Sequence, residues 1–375
     1  MIYLDNASSH ILLKEVKENL NTYLENDYNP SAKYLSAEKV NYKINEIRKV
    51  LLEVLKIPSY KVIFTSGASE ANSMAILGYY LKRESDFSVA YMKMEHSSVL
   101  KAFDFLKTKG IKLFKFNYNK LVNDIDSLIS DLKVNNIKFI VLNHVYSSSG
   151  LLCDIGKVAQ KIKDKIPNIY IHADISQSFM KSGFSVKHID SVALSAHKIG
   201  GLKGSGALII KDMQMISPII FGGKQNFSLR GGTENLMGIF SLGDAVSVWV
   251  KNNEYKDILR DLNLYFREQF SIAYGKNENV RLITPFENSF YGIVTFAVKN
   301  ILGEHIIRFL GENKIMISGP SNCHNLNYIP DFSNFMALDK SFYNGILRVS
   351  FSPYNTKKEI NEFFNVLNEA IDFFS

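Results

Sequence analysis

Short runs of β-branched and aromatic residues alternate with helical segments along most of the chain, and this alternation restricts the fold more than any other feature. Segments with helical spacing, such as Ser98–Lys107 and Asp154–Ile166, separate many of these runs. Strands that alternate with helices are typical of βαβ units, which build parallel sheets covered on both faces. We therefore predict an α/β fold in which a mostly parallel seven-stranded sheet lies between helices. The predicted strands are Lys61–Phe64, Phe87–Met92, Ile111–Phe116, Lys138–Leu142, Ile169–Ala173, Ser191–Ser195 and Ala207–Ile210.

The sequence pattern changes after about Lys251, where longer helical segments replace the alternation of strands and helices. The pattern there predicts a helix over Ile301–Leu310 and a strand over Ile346–Phe351. Near the C-terminus, Thr356 and Glu359 have the spacing of a capping box, in which each side chain accepts a hydrogen bond from a first-turn amide. The apolar residues that follow lie on one face of a helix: Ile360, Phe363, Phe364, Leu367, Ile371 and Phe374.

These patterns predict two domains. A large domain covers residues 13–250, and a smaller α+β domain covers residues 1–12 and 251–375 and carries Cys323 and Arg348. The length of 375 residues suits this division, since a domain commonly has ~150 residues.

Composition and charge exclude several classes of protein. The 44 basic and 37 acidic residues give a net charge of +7 and are interspersed, which favours solubility over nucleic-acid binding. The two cysteines, Cys153 and Cys323, are too few for a disulfide framework or a four-cysteine zinc site. No run reaches the ~18 apolar residues of a membrane span, and Asp5 interrupts the stretch that a signal peptide would need. We therefore predict a soluble, cytoplasmic protein with no metal site, no membrane contact and no direct nucleic-acid partner.

Polar residues follow several predicted strands, at the sheet edge where open α/β folds bind ligands. Each residue alone is more typical of a helix cap, a structural histidine or a solvated lysine. Together they place an acid, an amine and a phosphate-type turn on one edge. Pyridoxal phosphate needs this combination, and Lys198 and Asp174 suit its Schiff base and its pyridinium nitrogen. The residues at this edge are Ser69 in the turn Thr65–Glu70, Glu95, His96, Asp174, Gln177, His197 and Lys198.

A series of short motifs also occurs in the order and spacing of a known family. The segments are Tyr3–Ala7, Asn29–Ser31, Phe64–Asn72, Glu95-His96, His172–Gln177, Ser195–Gly204, Gly222–Gln225 and Arg230–Asn235. With them the chain resembles the cysteine desulfurases, pyridoxal-phosphate (PLP) enzymes of the class V aminotransferase group with PLP fold type I. The resemblance covers nearly the whole chain.

The resemblance implies a role for each matching residue. Lys198 would form the Schiff base with pyridoxal 5'-phosphate and shuttle protons, and Asp174 would hold the pyridinium nitrogen. Gln177 would contact the phenolic oxygen, while His96 would stack on the ring and assist proton transfer. Thr233 would reach the phosphate in the neighbouring subunit, which implies a homodimer with shared active sites. Ser69, Ser195 and His197 would bind the phosphate, and Ala68 would be a further cofactor-binding residue.

The implied reaction converts L-cysteine to L-alanine and leaves the sulfur on Cys323 as a persulfide. Cys323 lies in a loop of small residues, Ser318–His324, and an exposed loop suits a thiol that must reach both substrate and acceptor. Arg348 would clamp the substrate carboxylate and Asn6 would contact the substrate. Without the resemblance, Arg348 is more typical of an exposed strand residue. The sulfur acceptor would be an iron–sulfur scaffold or a tRNA thiolation enzyme, and Cys153 is predicted to be a packed structural thiol.

Three segments depart from the family pattern. Pro320–Asn322 replaces Gly-Ser-Ala before Cys323, Ser147 replaces an asparagine that contacts cofactor or substrate, and Lys33-Tyr34 stands where histidine is common. Two alternatives therefore stay open: another class V enzyme, such as a selenocysteine lyase or an aminotransferase, or a degenerate, non-catalytic relative that binds a partner. The intact acid, lysine and arginine favour an enzyme.

Overall fold

The computed structural model describes residues 1–83, 87–319 and 338–375, and these residues form two compact units. The sheet unit consists of Leu12–His144 and Cys153–Lys251. The terminal unit consists of Met1–Ile11, Val145–Leu152 and Asn252–Ser375.

The segment Val145–Leu152 lies inside the predicted range 13–250, but it packs in the terminal unit. Its backbone is bound there by residues that are distant in sequence. The Thr284 hydroxyl donates to the Ser149 carbonyl at 2.6 Å, and the Thr295 hydroxyl donates to the Ser148 carbonyl at 2.9 Å. Such contacts join residues more than a hundred positions apart, so no local pattern indicates them.

The helices and strands alternate through the sheet unit as the sequence predicts. The helices are α1 (Lys14–Glu18), α2 (Leu20–Glu25), α3 (Leu35–Val54), α4 (Ala68–Arg83), α5 (Ser97–Thr108), α6 (Tyr118–Asn123), α7 (Ile125–Val134), α8 (Ile155–Lys165), α9 (Leu236–Lys251), α10 (Tyr255–Tyr274), α11 (Gly303–Glu312) and α12 (Lys357–Phe374). The strands are β1 (Ile2–Tyr3), β2 (Lys61–Thr65), β3 (Ser88–Met92), β4 (Lys112–Phe116), β5 (Ile137–Asn143), β6 (Tyr170–Asp174), β7 (Ser191–Ser195), β8 (Gly206–Ile210), β9 (Val280–Leu282), β10 (Ile293–Val298), β11 (Ile315–Met316) and β12 (Ile346–Ser350). None of the helices in the described ranges is both long and apolar enough to cross a membrane.

The predicted α/β fold with a mostly parallel seven-stranded sheet is confirmed within the described residues. The strand order is β2-β8-β7-β6-β5-β3-β4, and every neighbouring pair is parallel except the two that involve β8. Because β8 runs antiparallel to both β2 and β7, these two strands point the same way as the rest. The carboxyl ends of six strands therefore lie at one edge of the sheet.

The central strands are buried, which explains their β-branched and aliphatic composition. Every residue of β6 and β7 is buried. Phe139 on β5 and Tyr170 on β6 stack with their ring centroids 5.2 Å apart, and Tyr79 of α4 packs on both. This aromatic cluster anchors α4 to the sheet, and α4 begins at the edge where the carboxyl ends meet.

The terminal unit contains a small antiparallel sheet, in the order β12-β10-β9, and a parallel pair of β1 with β11. The predicted strand over Ile346–Phe351 is observed as β12, and the predicted helix over Ile301–Leu310 is observed as α11, shifted by two residues. The C-terminal helix buries the predicted apolar face, including Ile360, Phe363 and Leu367. This unit is the α+β part of the fold.

The capping box at the start of α12 is formed and should contribute measurably to stability. The Thr356 hydroxyl accepts from the Glu359 amide at 3.2 Å, and the Glu359 carboxylate accepts from the Thr356 amide at 2.8 Å. We expect Thr356→Ala to lower the free energy of unfolding by about 1 kcal/mol, measured by urea denaturation. Thr356→Ser keeps the hydroxyl and serves as the control. Equal losses in the two variants would show that the cap contributes nothing.

Candidate active site

The last residues of neighbouring strands bring polar groups together at the carboxyl edge of the sheet. Asn143 at the end of β5 pairs with Asp174 at the end of β6. Ser195 at the end of β7 pairs with Gly206, which in turn pairs with Thr65 at the end of β2. The predicted site residues that follow these strands therefore all begin at the same edge of the sheet.

The Asp174 carboxylate is buried and held at both oxygens. Oδ1 accepts from the Ser176 amide at 2.9 Å, and Oδ2 accepts from the Asn72 side chain, also at 2.9 Å. Asn72 is held in turn by His172 Nε2 at 2.9 Å from its Oδ1. Asn72 and His172 lie in the family motifs, but no local pattern connects Asn72 with Asp174, because that contact crosses from α4 to β6.

Glu95 is a buried carboxyl close to Asp174. Burial, and then the negative charge of Asp174, raise its pKa well above the usual range, and a hydrogen bond with Asn143 opposes this only in part. Burial thus favours the protonated form of Glu95. Asp174 is the member of this pair whose two oxygens both accept hydrogen bonds.

Lys198 lies in a group of basic side chains. It ends a short turn of 3-10 helix, Ala196–Lys198, directly after β7. Burial, and then the charge of Lys198, lower the pKa of Lys181 to about 7. Burial and the charges of Lys198, Lys181 and Lys203 lower the pKa of His197 to about 4. This concentration of positive charge suits an anionic ligand, and Lys181 is a member of it that sequence reasoning missed.

The turn before α4 is packed closely against the end of β7 and the start of β8. The Ala68 amide donates to the Ser195 hydroxyl at 2.7 Å, which ties the start of α4 to the end of β7. Gly67 has a φ of +152°, and a side chain at Gly206 would clash with the Gly67 backbone. Ser69 is exposed in the first turn of α4. Helix amides and a hydroxyl lie at the position where the sequence predicts a phosphate-type turn, and their contact with a phosphate stays a prediction.

His96 is the N-cap residue of α5 and lies near both charged groups. Its Nδ1 accepts from the Ser98 amide at 3.2 Å and lies 2.8 Å from the Ser98 hydroxyl. Although the residue is exposed to solvent, the surrounding protein lowers its pKa by desolvation, Asp174 opposes this change and Lys198 adds to it. The structure thus brings His96, Asp174 and Lys198 within electrostatic reach of one another.

Two further predicted cofactor residues have different environments. Gln177 is buried three residues after Asp174. Thr233 is exposed in the segment before α9. The assigned contacts, with a phenolic oxygen for Gln177 and with the neighbouring subunit for Thr233, stay predictions.

Arg348 lies in the terminal unit, on β12, and it is only 5% exposed. The expectation that Arg348 is an exposed strand residue, which applies without the family resemblance, is therefore wrong. Nη2 donates to Asp5 at 3.0 Å and lies 2.7 Å from the hydroxyls of Ser8 and Ser318. Nη1 donates to the Ser147 carbonyl at 2.9 Å. Nε is buried and has no hydrogen-bond partner among the described residues, whereas both terminal nitrogens already have partners.

Asn6 is also buried in the terminal unit. Its side-chain amide donates to the Ser350 carbonyl at 3.1 Å, while its Oδ1 has no hydrogen-bond partner among the residues described. Ser147, which departs from the family pattern, holds Arg348 through a backbone carbonyl. A residue of any type supplies that carbonyl, so the substitution leaves this contact in place.

The two cysteines differ in what the structure shows. Cys153 is buried, and burial, followed by the charges of Asp154 and Glu95, raises the pKa of its thiol. The prediction of a packed structural thiol is confirmed. Cys323 and Pro320–Asn322 lie outside the described residues, and Ser318 and Gly319 are the last described residues before them.

Comparison with known proteins agrees with this arrangement. The family model for aminotransferase class-V matches residues 2–363. The chain belongs to the class-V aminotransferase family. The cysteine desulfurase IscS of Clostridium botulinum is 30% identical over 385 residues, which cover 99% of this chain and 94% of that protein.

Solved structures of similar fold include NifS-like proteins. A NifS-like protein superposes with a TM-score of 0.88 at 25% identity and covers 99% of both chains. A structure described as SspA in complex with cysteine has a TM-score of 0.79 at 26% identity, covering 95% of this chain and all of that one. The similarity of this class-V chain is thus to cysteine desulfurases and NifS-like proteins.

Proposed function

We propose that this chain is a pyridoxal-phosphate-dependent cysteine desulfurase that converts L-cysteine to L-alanine and carries the sulfur on Cys323. The observation that carries the proposal is the grouping of Asp174, Lys198 and His96 at the carboxyl edge of the sheet. A fixed carboxylate, an amine and an imidazole are the groups that this cofactor chemistry requires. The relatives named cysteine desulfurase, and the SspA structure with cysteine, support the choice of substrate.

The residues of the sheet unit fit the cofactor. Pyridoxal phosphate, when bound, supplies an aldehyde that condenses with amines and a ring that withdraws electrons from the Cα of an amino acid. Asp174 would hold the pyridinium nitrogen, because its carboxylate is buried and fixed at both oxygens. The amides at the start of α4, with Ser195 and His197, would bind the phosphate. The Lys198 amine would hold the cofactor and move a proton at its Nζ.

Arg348 in the terminal unit would bind the substrate carboxylate, and its Nε is the donor that has no partner among the described residues. Arg348→Lys keeps the charge but loses the planar, bidentate geometry. We expect the KM for L-cysteine to rise about 10- to 100-fold, the equivalent of one charge-assisted hydrogen bond. Steady-state kinetics would measure the change, with Arg267→Lys as the control, since Arg267 binds the carbonyls of Thr284 and Pro285. An unchanged KM in Arg348→Lys would remove Arg348 from the substrate site.

Cys323 would act as the nucleophile. Its thiolate attacks the sulfur of L-cysteine, the bond between Cβ and sulfur breaks, and the electron pair of that bond stays with carbon, which takes up a proton. The products are L-alanine and a persulfide on Cys323, so atoms and electrons balance. An acceptor protein, which we propose is an iron–sulfur scaffold or a tRNA thiolation enzyme, then takes the outer sulfur.

We also propose a homodimer in which Thr233 reaches the partner's phosphate site. A measured molar mass equal to that of one chain would contradict it.

The experiment that tests this function is mass spectrometry of the cofactor-loaded protein after incubation with L-cysteine. We expect Cys323 to gain one sulfur atom and L-alanine to appear in an equal amount during the first turnover. Formation of a keto acid instead would indicate an aminotransferase, and faster alanine formation from L-selenocysteine would indicate a selenocysteine lyase. Absence of a cofactor absorbance band would indicate a non-catalytic relative.

A further inference from the structure

A continuous chain of hydrogen bonds joins the sheet to His96. Ser191 Oγ lies 2.8 Å from His172 Nδ1, and His172 Nε2 lies 2.9 Å from Asn72 Oδ1. Asn72 Nδ2 then contacts the Ser98 hydroxyl at 2.9 Å, and this hydroxyl lies 2.8 Å from His96 Nδ1. The function proposed above uses His96, at one end of this chain, and Asp174, which Asn72 also contacts, but it gives no role to Asn72, Ser98, His172 or Ser191.

The direction of the hydrogen bonds is fixed at Asp174. A carboxylate oxygen accepts hydrogen bonds, so the Asn72 amide nitrogen must face Asp174 Oδ2. Asn72 Oδ1 therefore accepts from His172 Nε2, and His172 Nδ1 accepts from the Ser191 hydroxyl. Burial lowers the pKa of His172, which agrees with a neutral ring bearing one proton.

Two hydrogen-bond donors of Ser98 lie close to His96 Nδ1. The Ser98 backbone amide can only donate, and it points at His96 Nδ1 from 3.2 Å. The Ser98 hydroxyl accepts from Asn72, and because Nδ1 already accepts from the amide, this hydroxyl can only donate its own proton to the same nitrogen. Nδ1 is thus surrounded by donors, and a neutral imidazole has a single proton to place.

We propose that Asn72 and Ser98 are positioning residues that fix the proton of the neutral His96 ring on Nε2. His96 is then a hydrogen-bond donor at Nε2 in the resting protein and cannot accept a proton there. Its position as N-cap of α5 also favours the neutral ring, because the positive end of a helix disfavours a charged imidazole. The use of this donor in catalysis rests on the proposed function, whereas the position of the proton does not.

Nuclear magnetic resonance of histidine-labelled full-length protein tests the proposal without turnover. The ring nitrogen shifts distinguish the Nε2–H tautomer from the Nδ1–H tautomer, and His96→Gln identifies the signal by its disappearance. We expect the neutral His96 signal to be that of the Nε2–H tautomer. A neutral ring with its proton on Nδ1 would overturn the proposal.

Variants separate the chain of hydrogen bonds from the backbone contact. Ser98→Ala removes one donor to Nδ1, and we expect the ratio of the Nε2–H to the Nδ1–H tautomer to fall about 3- to 10-fold. Ser98→Thr keeps the hydroxyl and should retain the wild-type ratio, while Ser73→Ala on α4 makes the same chemical change outside the chain of hydrogen bonds. An unchanged ratio in Ser98→Ala would show that the side chains do not position His96.

Turnover adds a second readout. In Ser98→Ala we expect kcat to fall up to about 10-fold with the KM for L-cysteine changed less than about twofold, because Ser98 acts through His96. A protein without desulfurase activity but with the expected tautomers would contradict the proposed function alone. A desulfurase with the wrong tautomer would contradict this inference alone.

Discussion

Replacing Lys198 with alanine is expected to lower desulfurase turnover about 10⁴-fold, the upper range for loss of a proton-transferring group. The variant should also lose the absorbance band that the cofactor acquires when it is bound to a lysine. Lys198 ends the short turn that directly follows β7. Its charge helps to lower the pKa values of His96, Lys181 and His197. Lys198 is the one residue that we assign both to hold the cofactor and to move the proton.

The control for this experiment is Lys211→Ala. Lys211 is exposed just after β8, whose antiparallel direction places it at the edge of the sheet opposite Lys198. The two variants change the net charge equally, so a difference between them reports the position of the amine. Turnover in Lys198→Ala comparable to that in Lys211→Ala would remove Lys198 from the reaction.

Replacing Cys323 with alanine is expected to abolish the protein-bound persulfide and to lower alanine formation from L-cysteine at least about 10³-fold, as for loss of a nucleophile. Absorbance of the bound cofactor should be unchanged, since the residues that we assign to cofactor binding are in the sheet unit. Mass spectrometry and an alanine assay measure the two effects.

The matched control is Cys153→Ala. Cys153 is 1% exposed, and burial holds its thiol protonated, so it cannot act as a nucleophile at neutral pH. This variant should keep the persulfide on Cys323. Full alanine and sulfide production by Cys323→Ala would support the alternative of a lyase that does not use a protein thiol.

The sheet could be predicted from the sequence because its signals are local. Five-residue buried strands separated by helices give runs such as Ser191–Ser195, which the structure reproduces to the residue. The residues at the carboxyl edge, Asp174 and Lys198, could be found for the same reason, since each follows its own strand. The capping box of Thr356 and Glu359 is likewise a pattern within four residues.

The features that could not be predicted depend on tertiary contacts. The burial of Arg348 requires Asp5, more than three hundred residues away, and the placement of Val145–Leu152 requires Thr284 and Thr295. The contact of Asn72 with Asp174 joins α4 to β6. Such pairings follow from how the strands and helices are arranged in space, which local periodicity does not specify.

The proposed chemistry depends most on the Lys198 amine holding the cofactor beside Asp174. The direct measurement is peptide mapping by mass spectrometry after the protein has been loaded with pyridoxal phosphate and reduced with borohydride, which fixes the cofactor to the amine that carries it. We predict one modified lysine per chain, at Lys198. In Asp174→Ala, which should not retain the cofactor, we predict that this modification is lost. Modification of exposed lysines with Lys198 untouched would contradict the account.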